Sequence, residues 1–328
     1  MSIWPFSRYC SPFSLGHLGI MGMNQRNVNY IGRYNERSLY PLVDNKLLTK
    51  EMALRHHVKT TDLLGAIKHQ YEVMNFLKFT SGRSGFCIKP AHGSGGKGIL
   101  VITKTDEAGF YKPNGQVLTV KDVERHISNI LAGLFSLGGK PDFALIEELI
   151  NFDDVFADYS YEGVPDIRVI VFQGYPVMCM MRLSTAESDG KANLHQGAVG
   201  VGLCLRTGSA VRGVQKNAPI ETHPDTGAAL SKLKVPHWQE VLELASSCYD
   251  MSGLGYIGTD IVLDRIHGPL LLELNARPGL AIQIANGTGL LPRLHYIEEF
   301  IKHHSGLTPK ERVKVSQDAF GILEHPQA

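Results

Sequence analysis

The chain lacks the features that mark several large classes of protein. Its five cysteines, Cys10, Cys87, Cys179, Cys204 and Cys248, are scattered and odd in number, with no C-x-x-C pair. This argues against zinc, a redox dithiol or a disulfide framework, and for free thiols in a reducing compartment. No charge of one sign dominates, since Lys plus Arg number 33 and Asp plus Glu 32. Without a broad cationic field for nucleic acid or an anionic membrane, any phosphate site must be local. No run approaches the ~20 apolar residues of a membrane span. The first residues, broken by Pro5, Arg8 and Pro12, lack the order of a signal peptide, and the expected location is the cytoplasm. There is no internal repeat, no H-E-x-x-H, and no Ser or Cys nucleophile with an ordered His partner.

What the chain has is a composition for a full core: 328 residues, 43% of them hydrophobic. Residues 1–41 show no sustained period and read as an irregular lead-in. Asp44 is placed to cap a helix through Lys46, Leu47, Met52 and Leu54, and residues 62–77 carry a second helical pattern. Short apolar runs at 86–90 and 99–103 flank a glycine-rich loop; 120–137 has helical spacing and 143–150 reads as a buried strand. Residues 151–163 form an acidic, aromatic inserted loop. Strands at 167–172 and 177–183 are joined at Gln173-Gly174-Tyr175-Pro176. Residues 184–217, polar and Gly-rich, read as a long connection. A helix at 238–251 precedes a strand pair at 256–263 and 270–274. This irregular alternation fits an α+β arrangement of antiparallel sheets covered by helices better than a doubly wound parallel sheet.

The last strand pair is the first candidate site. In Leu271-Leu272-Glu273-Leu274-Asn275, Glu273 and Asn275 share one face of the strand. If the hairpin turns symmetrically about Ile266 and His267, Asp260 lies opposite Glu273, whereas a slip of one residue undoes this. Two carboxylates and one amide carbonyl suit magnesium, which takes its remaining ligands from water and phosphate. A solvated strand face would look the same. Asp264, beside the turn, is expected to face solvent.

The loop His92-Gly93-Ser94-Gly95-Gly96-Lys97-Gly98 matches G-x-G-x-x-G, but a strand follows it where a dinucleotide fold needs a helix. Gly98 after Lys97 excludes a Walker A loop. A glycine loop between antiparallel strands is instead a flap that lays backbone N–H groups over phosphates. Lys89, on the strand entering the loop, and Lys46, near the first helix, are cations that could meet those phosphates or remain ordinary surface lysines. Asp166 and Arg168 alternate on one strand and Arg182 ends the next, suggesting a polar cleft face or a structural ion pair. Lys191, Asn193 and His195 in the polar connection, and Arg277 after the acidic strand, could reach a transferring phosphoryl group.

From about Asn24 to Phe300 these pieces, in this order, resemble the ATP-grasp superfamily, most closely glutamate-ligase-like proteins related to the enzyme that adds glutamates to a ribosomal protein. The most specific match is Gly258-Thr259-Asp260-Ile261 with Glu273-Leu274-Asn275-Ala276-Arg277-Pro278-Gly279; Asp166-Ile167-Arg168 and Asn193-Leu194-His195 are also similar to that branch. The resemblance implies two α+β lobes with ATP bound between them. It implies Lys46, Lys89 and the flap residues Gly93, Ser94, Gly95 and Gly96 on the phosphates, and Glu147, Glu148 and Leu149 around adenine and ribose. Asp166 would lie in the nucleotide cleft, and Asp260, Glu273 and Asn275 would hold Mg2+. Arg182, Arg277 and Asn193 would be catalytic.

The implied activity is an ADP-forming ligation of a carboxylate to an amine through an acyl phosphate, with an amino acid, peptide or protein as acceptor and glutamate as one candidate. Such chemistry rests on positioning and charge neutralisation. The rivals are a kinase on the same fold and a nucleotide-binding module without turnover. The expected division is an irregular segment at 1–45, a first lobe at 46–150, a second at 151–304 and a tail at 305–328. Relatives carry an α/β domain ahead of the lobes, for which residues 1–45 fall short of the ~50 residues of the smallest common domains.

Overall fold

The computed structural model describes residues 11–93 and 96–321. Its strands are β1 Leu63–Ile67, β2 Phe86–Pro90, β3 Leu100–Ile102, β4 Lys104–Asp106, β5 Gly109–Tyr111, β6 Val117–Leu118, β7 Ala144–Glu148, β8 Asp166–Phe172, β9 Tyr175–Leu183, β10 Val199–Leu203, β11 Ala210–Gln215, β12 Ala218–Ile220, β13 Tyr256–Asp264 and β14 Gly268–Asn275. They form a four-stranded sheet in the order β1-β7-β2-β3, a three-stranded sheet β4-β5-β6, and a seven-stranded sheet β12-β11-β10-β9-β8-β13-β14. Every pairing between named strands is antiparallel. The architecture is α+β, as the alternation of elements predicts.

Each of the two larger sheets has its own apolar core. On the four-stranded sheet, Phe86, Ile88, Ile102 and Ile146 pack with Val123, Ile127 and Ile130 of helix Val120–Leu131. The other face of this sheet carries Lys89 and Glu147 and is covered by helix Lys46–Arg55. On the seven-stranded sheet, Val169, Val171, Cys179, Ile257 and Ile261 pack with Val241, Leu242, Ala245 and Cys248 of helix Trp238–Ser252. Arg312 of the last helix, Pro309–Phe320, reaches Asp250 of helix Trp238–Ser252. The capping box of Thr308 and Glu311 starts that last helix, and its Val313 and Phe320 join the larger core.

The two halves are joined along an edge. Leu271 N–H of the edge strand β14 donates to the Lys59 carbonyl at 2.8 Å, and Thr60 Oγ1–H donates to the Leu271 carbonyl at 2.9 Å. At the hairpin turn, Arg265 N–H donates to Asn151 O at 2.7 Å.

Several elements differ from the sequence expectation. Residues 12–44 are a series of short helices, anchored in the larger core by Met21, Tyr30, Ile31 and Val43. Elements this short leave no period to read. Asn45, not Asp44, caps helix Lys46–Arg55, its side chain accepting from Leu47 N at 3.0 Å. The helical pattern at 62–77 begins instead as strand β1, because pairing with β7 overrides local propensity.

The connection at 184–217 holds β10 and β11, with β12 following. Glycine at alternate positions hides β10: a Cβ on Gly202 would sit 2.4 Å from the Ala285 carbonyl oxygen, so only glycine fits under that backbone. Gly202→Ala is expected to cost about 2 kcal/mol through overpacking, read as a lower urea midpoint at unchanged slope.

Candidate active site

One face of the seven-stranded sheet carries a buried ladder of alternating charge. Register places Arg182 of β9 opposite Asp166 of β8, and Arg168 of β8 opposite Asp260 of β13. The two rows share a face because 166 and 168 are two apart on one strand. Arg168 Nε donates to Asp260 Oδ1 at 2.7 Å and its Nη2 to Oδ2 at 2.6 Å. Arg182 makes a two-pronged pair with Asp166 and also donates to Asp260 Oδ2 at 2.8 Å. Burial works against the Asp260 charge, but Arg168 and Arg182 outweigh it and hold the carboxyl down at about 2. Burial pushes Asp166 up to about 6 against the pull of Arg182, with the Asp260 charge adding to the rise.

Asp260 does lie opposite Glu273, though not through a symmetric turn. Near the turn the pairs are Asp264 with Gly268 and Ile261 with Leu271, a register that alone would set Asp260 against Leu272. A bulge between Asp260 and Ile261 takes up Leu272, restores Glu273 opposite Asp260 and puts Asn275 opposite Gly258 on the same face. Asp264, expected in solvent, is buried: its carboxylate accepts from the backbone N–H groups of Asn151, Ile266 and His267 at 2.8 Å each and fixes the turn.

The donor set fits magnesium. Among the described residues no three His, Cys, Asp or Glu side chains are grouped to hold a metal, so an ion here would lean on two carboxylates and the Asn275 carbonyl and complete its shell with water or phosphate. Asp260 Oδ1 accepts a single hydrogen bond, which leaves it a lone pair for a cation.

The first half supplies the facing cations. Lys46 Nζ donates to the Gly93 carbonyl at the start of the flap at 2.7 Å and lies 3.3 Å from Glu273 Oε1. The flap's far stem is held by His126, whose Nε2 is 3.0 Å from Gly98 O. Gly96 and Gly98 both have positive φ, 74° and 77°, which favours glycine there. Ser94 and Gly95 lie outside the described residues.

Glu147 and Glu148 part company because neighbours on a strand point to opposite faces. Glu147, expected at the adenine and ribose, is buried: its Oε2 is 2.6 Å from Lys89 Nζ and its Oε1 3.3 Å from Lys50 Nζ. Burial disfavours the Lys89 ammonium, yet Glu147 more than offsets this and raises its pKa; burial dominates for Lys50 and lowers it to about 8. Glu148 pairs with Arg83 at 2.8 Å and, with Leu149, Ile150 and Leu270, lines a groove of about 1200 Å³ between the halves. Lys50 escaped the sequence reading, although its place four residues after Lys46 on one helix was a usable signal.

Two expected catalytic residues sit apart from the ladder. Arg277 is exposed, its guanidinium 5.0 Å from the Tyr40 ring centroid. Asn193 caps a short turn, its Oδ1 accepting from His195 N at 3.0 Å, while Lys191 pairs with Asp189. The turn still borders the ladder: a Cβ on Gly200, opposite Arg182, would meet Leu194 at 2.8 Å.

Comparison with solved structures finds D-cycloserine synthetase DcsG at 13% identity and TM-score 0.47, covering 92% of this chain and 87% of that one. D-alanyl-alanine synthetase A from Vibrio cholerae O1 biovar eltor str. N16961 is 11% identical, TM-score 0.47, covering 87% and 67%. The ATP-grasp ligase PsnB, solved with minimal precursor, Mg and ADP, is 12% identical, TM-score 0.44, covering 86% of this chain and 62% of that one, so this chain spans less than two thirds of PsnB. No curated protein matches. Among the described residues no helix is long and apolar enough to cross a membrane. The family model for sugar-transfer associated ATP-grasp proteins matches residues 25–299, the stretch that holds the flap, the lysines, the charged ladder and the acidic hairpin, and the chain belongs to that family.

Proposed function

We propose that the chain is an ATP- and Mg2+-dependent ligase that activates a carboxylate as an acyl phosphate and joins it to an amine. The observation that carries this reading is Lys46, which touches the flap carbonyl of Gly93 and the acidic hairpin residue Glu273 at once. A nucleotide bound with its base in the groove beside Glu148 and Leu149 would thread its phosphates between these groups. Asp260, Glu273 and Asn275 would hold the magnesium ion, which when bound neutralises charge on phosphate oxygens.

The side chains then have separate tasks. Lys46 and Lys89 meet the phosphate oxygens, and the flap screens them from water. A carboxylate oxygen of the acid attacks the γ-phosphorus and the bond to the ADP oxygen breaks. The amine nitrogen then attacks the acyl carbon, inorganic phosphate leaves, and the amine gives up a proton. Arg182, held by Asp166 and Asp260, faces the transferring phosphoryl group as a fixed cation. Arg277 and Asn193 close in from the two bordering loops. The resemblance to glutamate-ligase-like proteins makes glutamate the first acid and amine to test, with peptide or protein acceptors next.

Incubation with ATP, Mg2+, hydroxylamine and a panel of carboxylates is expected to yield ADP and a hydroxamate in equal amounts for at least one acid. ADP with a stable phosphate ester and no hydroxamate would make the chain a kinase. Nucleotide binding with neither product across the panel would make it a module without turnover.

A further inference from the structure

Two buried lysines share the Glu147 carboxylate, but they are not equivalent. Lys50 Nζ donates to Thr61 O and Thr61 Oγ1, both at 2.5 Å, and to Thr60 Oγ1 at 3.3 Å, so its three N–H donors are all used within its own surroundings. Among the described residues Lys89 Nζ has a single partner, Glu147 Oε2 at 2.6 Å. Two of its donors are therefore spare, on the wall that also carries Lys46 and Glu273. Thr61 Oγ1–H donates to the same Oε2 at 2.7 Å, while Oε1 accepts no hydrogen bond and has only the Lys50 charge 3.3 Å away.

We infer that Lys50 is a positioning residue: a standing counter-ion for Glu147 that leaves Lys89 free to swing from Glu147 to a nucleotide phosphate. The inference rests on the nucleotide reading above. Two cations and one anion give the cluster a net charge of plus one. When Lys89 turns to a phosphate, Lys50 still balances Glu147, and no buried carboxylate is left uncompensated. Without Lys50, Lys89 becomes the only counter-ion and is held in place.

Charge counting gives a test that a merely structural role would fail. Lys50→Met leaves Glu147 and Lys89 as a closed neutral pair. Lys50→Met with Glu147→Gln restores the net plus one and leaves nothing to hold Lys89. Titration with Mg-ADP is expected to show the single variant binding about tenfold more weakly than wild type, because its binding-competent fraction falls by that factor. The double variant is expected to recover to within about threefold of wild type by the same relation.

Nitrogen-15 spectra of the lysine ammonium groups read the same event without nucleotide. The Lys89 protons should exchange with water more slowly in Lys50→Met and return to the wild-type rate in the double variant. Should Lys50→Met prove too unstable to study, Lys50→Gln carries the same charge change with a polar end for Thr61. Wild-type affinity and exchange in the single variant, or a double variant weaker than the single, would overturn the inference. The expected exchange pattern with no nucleotide binding in any of the three proteins would support the counter-ion role and overturn the nucleotide reading instead.

Discussion

Glu273→Gln is expected to lower ADP-forming turnover about a hundred- to a thousandfold with the fold intact. The side chain is 37% exposed, and among the described residues its ion-pair partner is Lys46 at 3.3 Å. Its removal takes no volume from either core and leaves no buried charge unpaired. What it removes is one of the two carboxylates proposed to hold the divalent ion. An assay of ADP release at saturating Mg2+, beside a thermal melt, checks both halves of the expectation. Turnover equal to wild type would take Glu273 out of the mechanism.

Asp260→Ala is expected to fail in a different way, losing about 3–5 kcal/mol of stability in addition to activity. Asp260 is buried and accepts from two guanidiniums, so its loss strands Arg168 completely and leaves Arg182 with Asp166 alone. Urea unfolding measures this, and a loss below about 1 kcal/mol would be that of an exposed pair and would contradict the buried ladder.

The pH dependence carries a sign. The folded-state value of about 2 lies below the ordinary 3.8, so the stabilisation from Asp260 is present above pH 3.8 and is lost as pH falls toward 2. Wild type and Asp260→Ala should therefore converge in stability across that window.

The acidic hairpin and the charged strands were legible in the sequence because their chemistry is local: Asp166, Arg168, Glu273 and Asn275 each stand in a short alternating run. The position of Asp260 opposite Glu273 was reached from a turn drawn one residue too long, and the Leu272 bulge supplies the missing residue. Bulges leave no mark in composition. Strands β10 and β11 were invisible because glycine at 200, 202 and 213 removes the side chains from which a period is read. The pairing of Glu147 with Lys50 and Thr61 was not legible, because nothing in the sequence shows that these residues, distant along the chain, converge on it. Asp264 was assigned to solvent from its place beside a turn, where in fact three backbone donors claim it.

The pairing of residues 59 and 60 with Leu271, together with the bond from Arg265 to Asn151, stitches the halves along two seams that meet at one edge. Prying them apart like jaws would break the main-chain hydrogen bonds of Leu271 with Lys59 and of Arg265 with Asn151. The glycine loop is held at its first stem by the backbone bridge of Gly93 with Ser136 and by Lys46 on the Gly93 carbonyl, and at its second by His126 at Gly98. The same stitching occupies the outer rim of β14 at Leu271, part of an edge that would otherwise be open for a foreign strand to join the sheet.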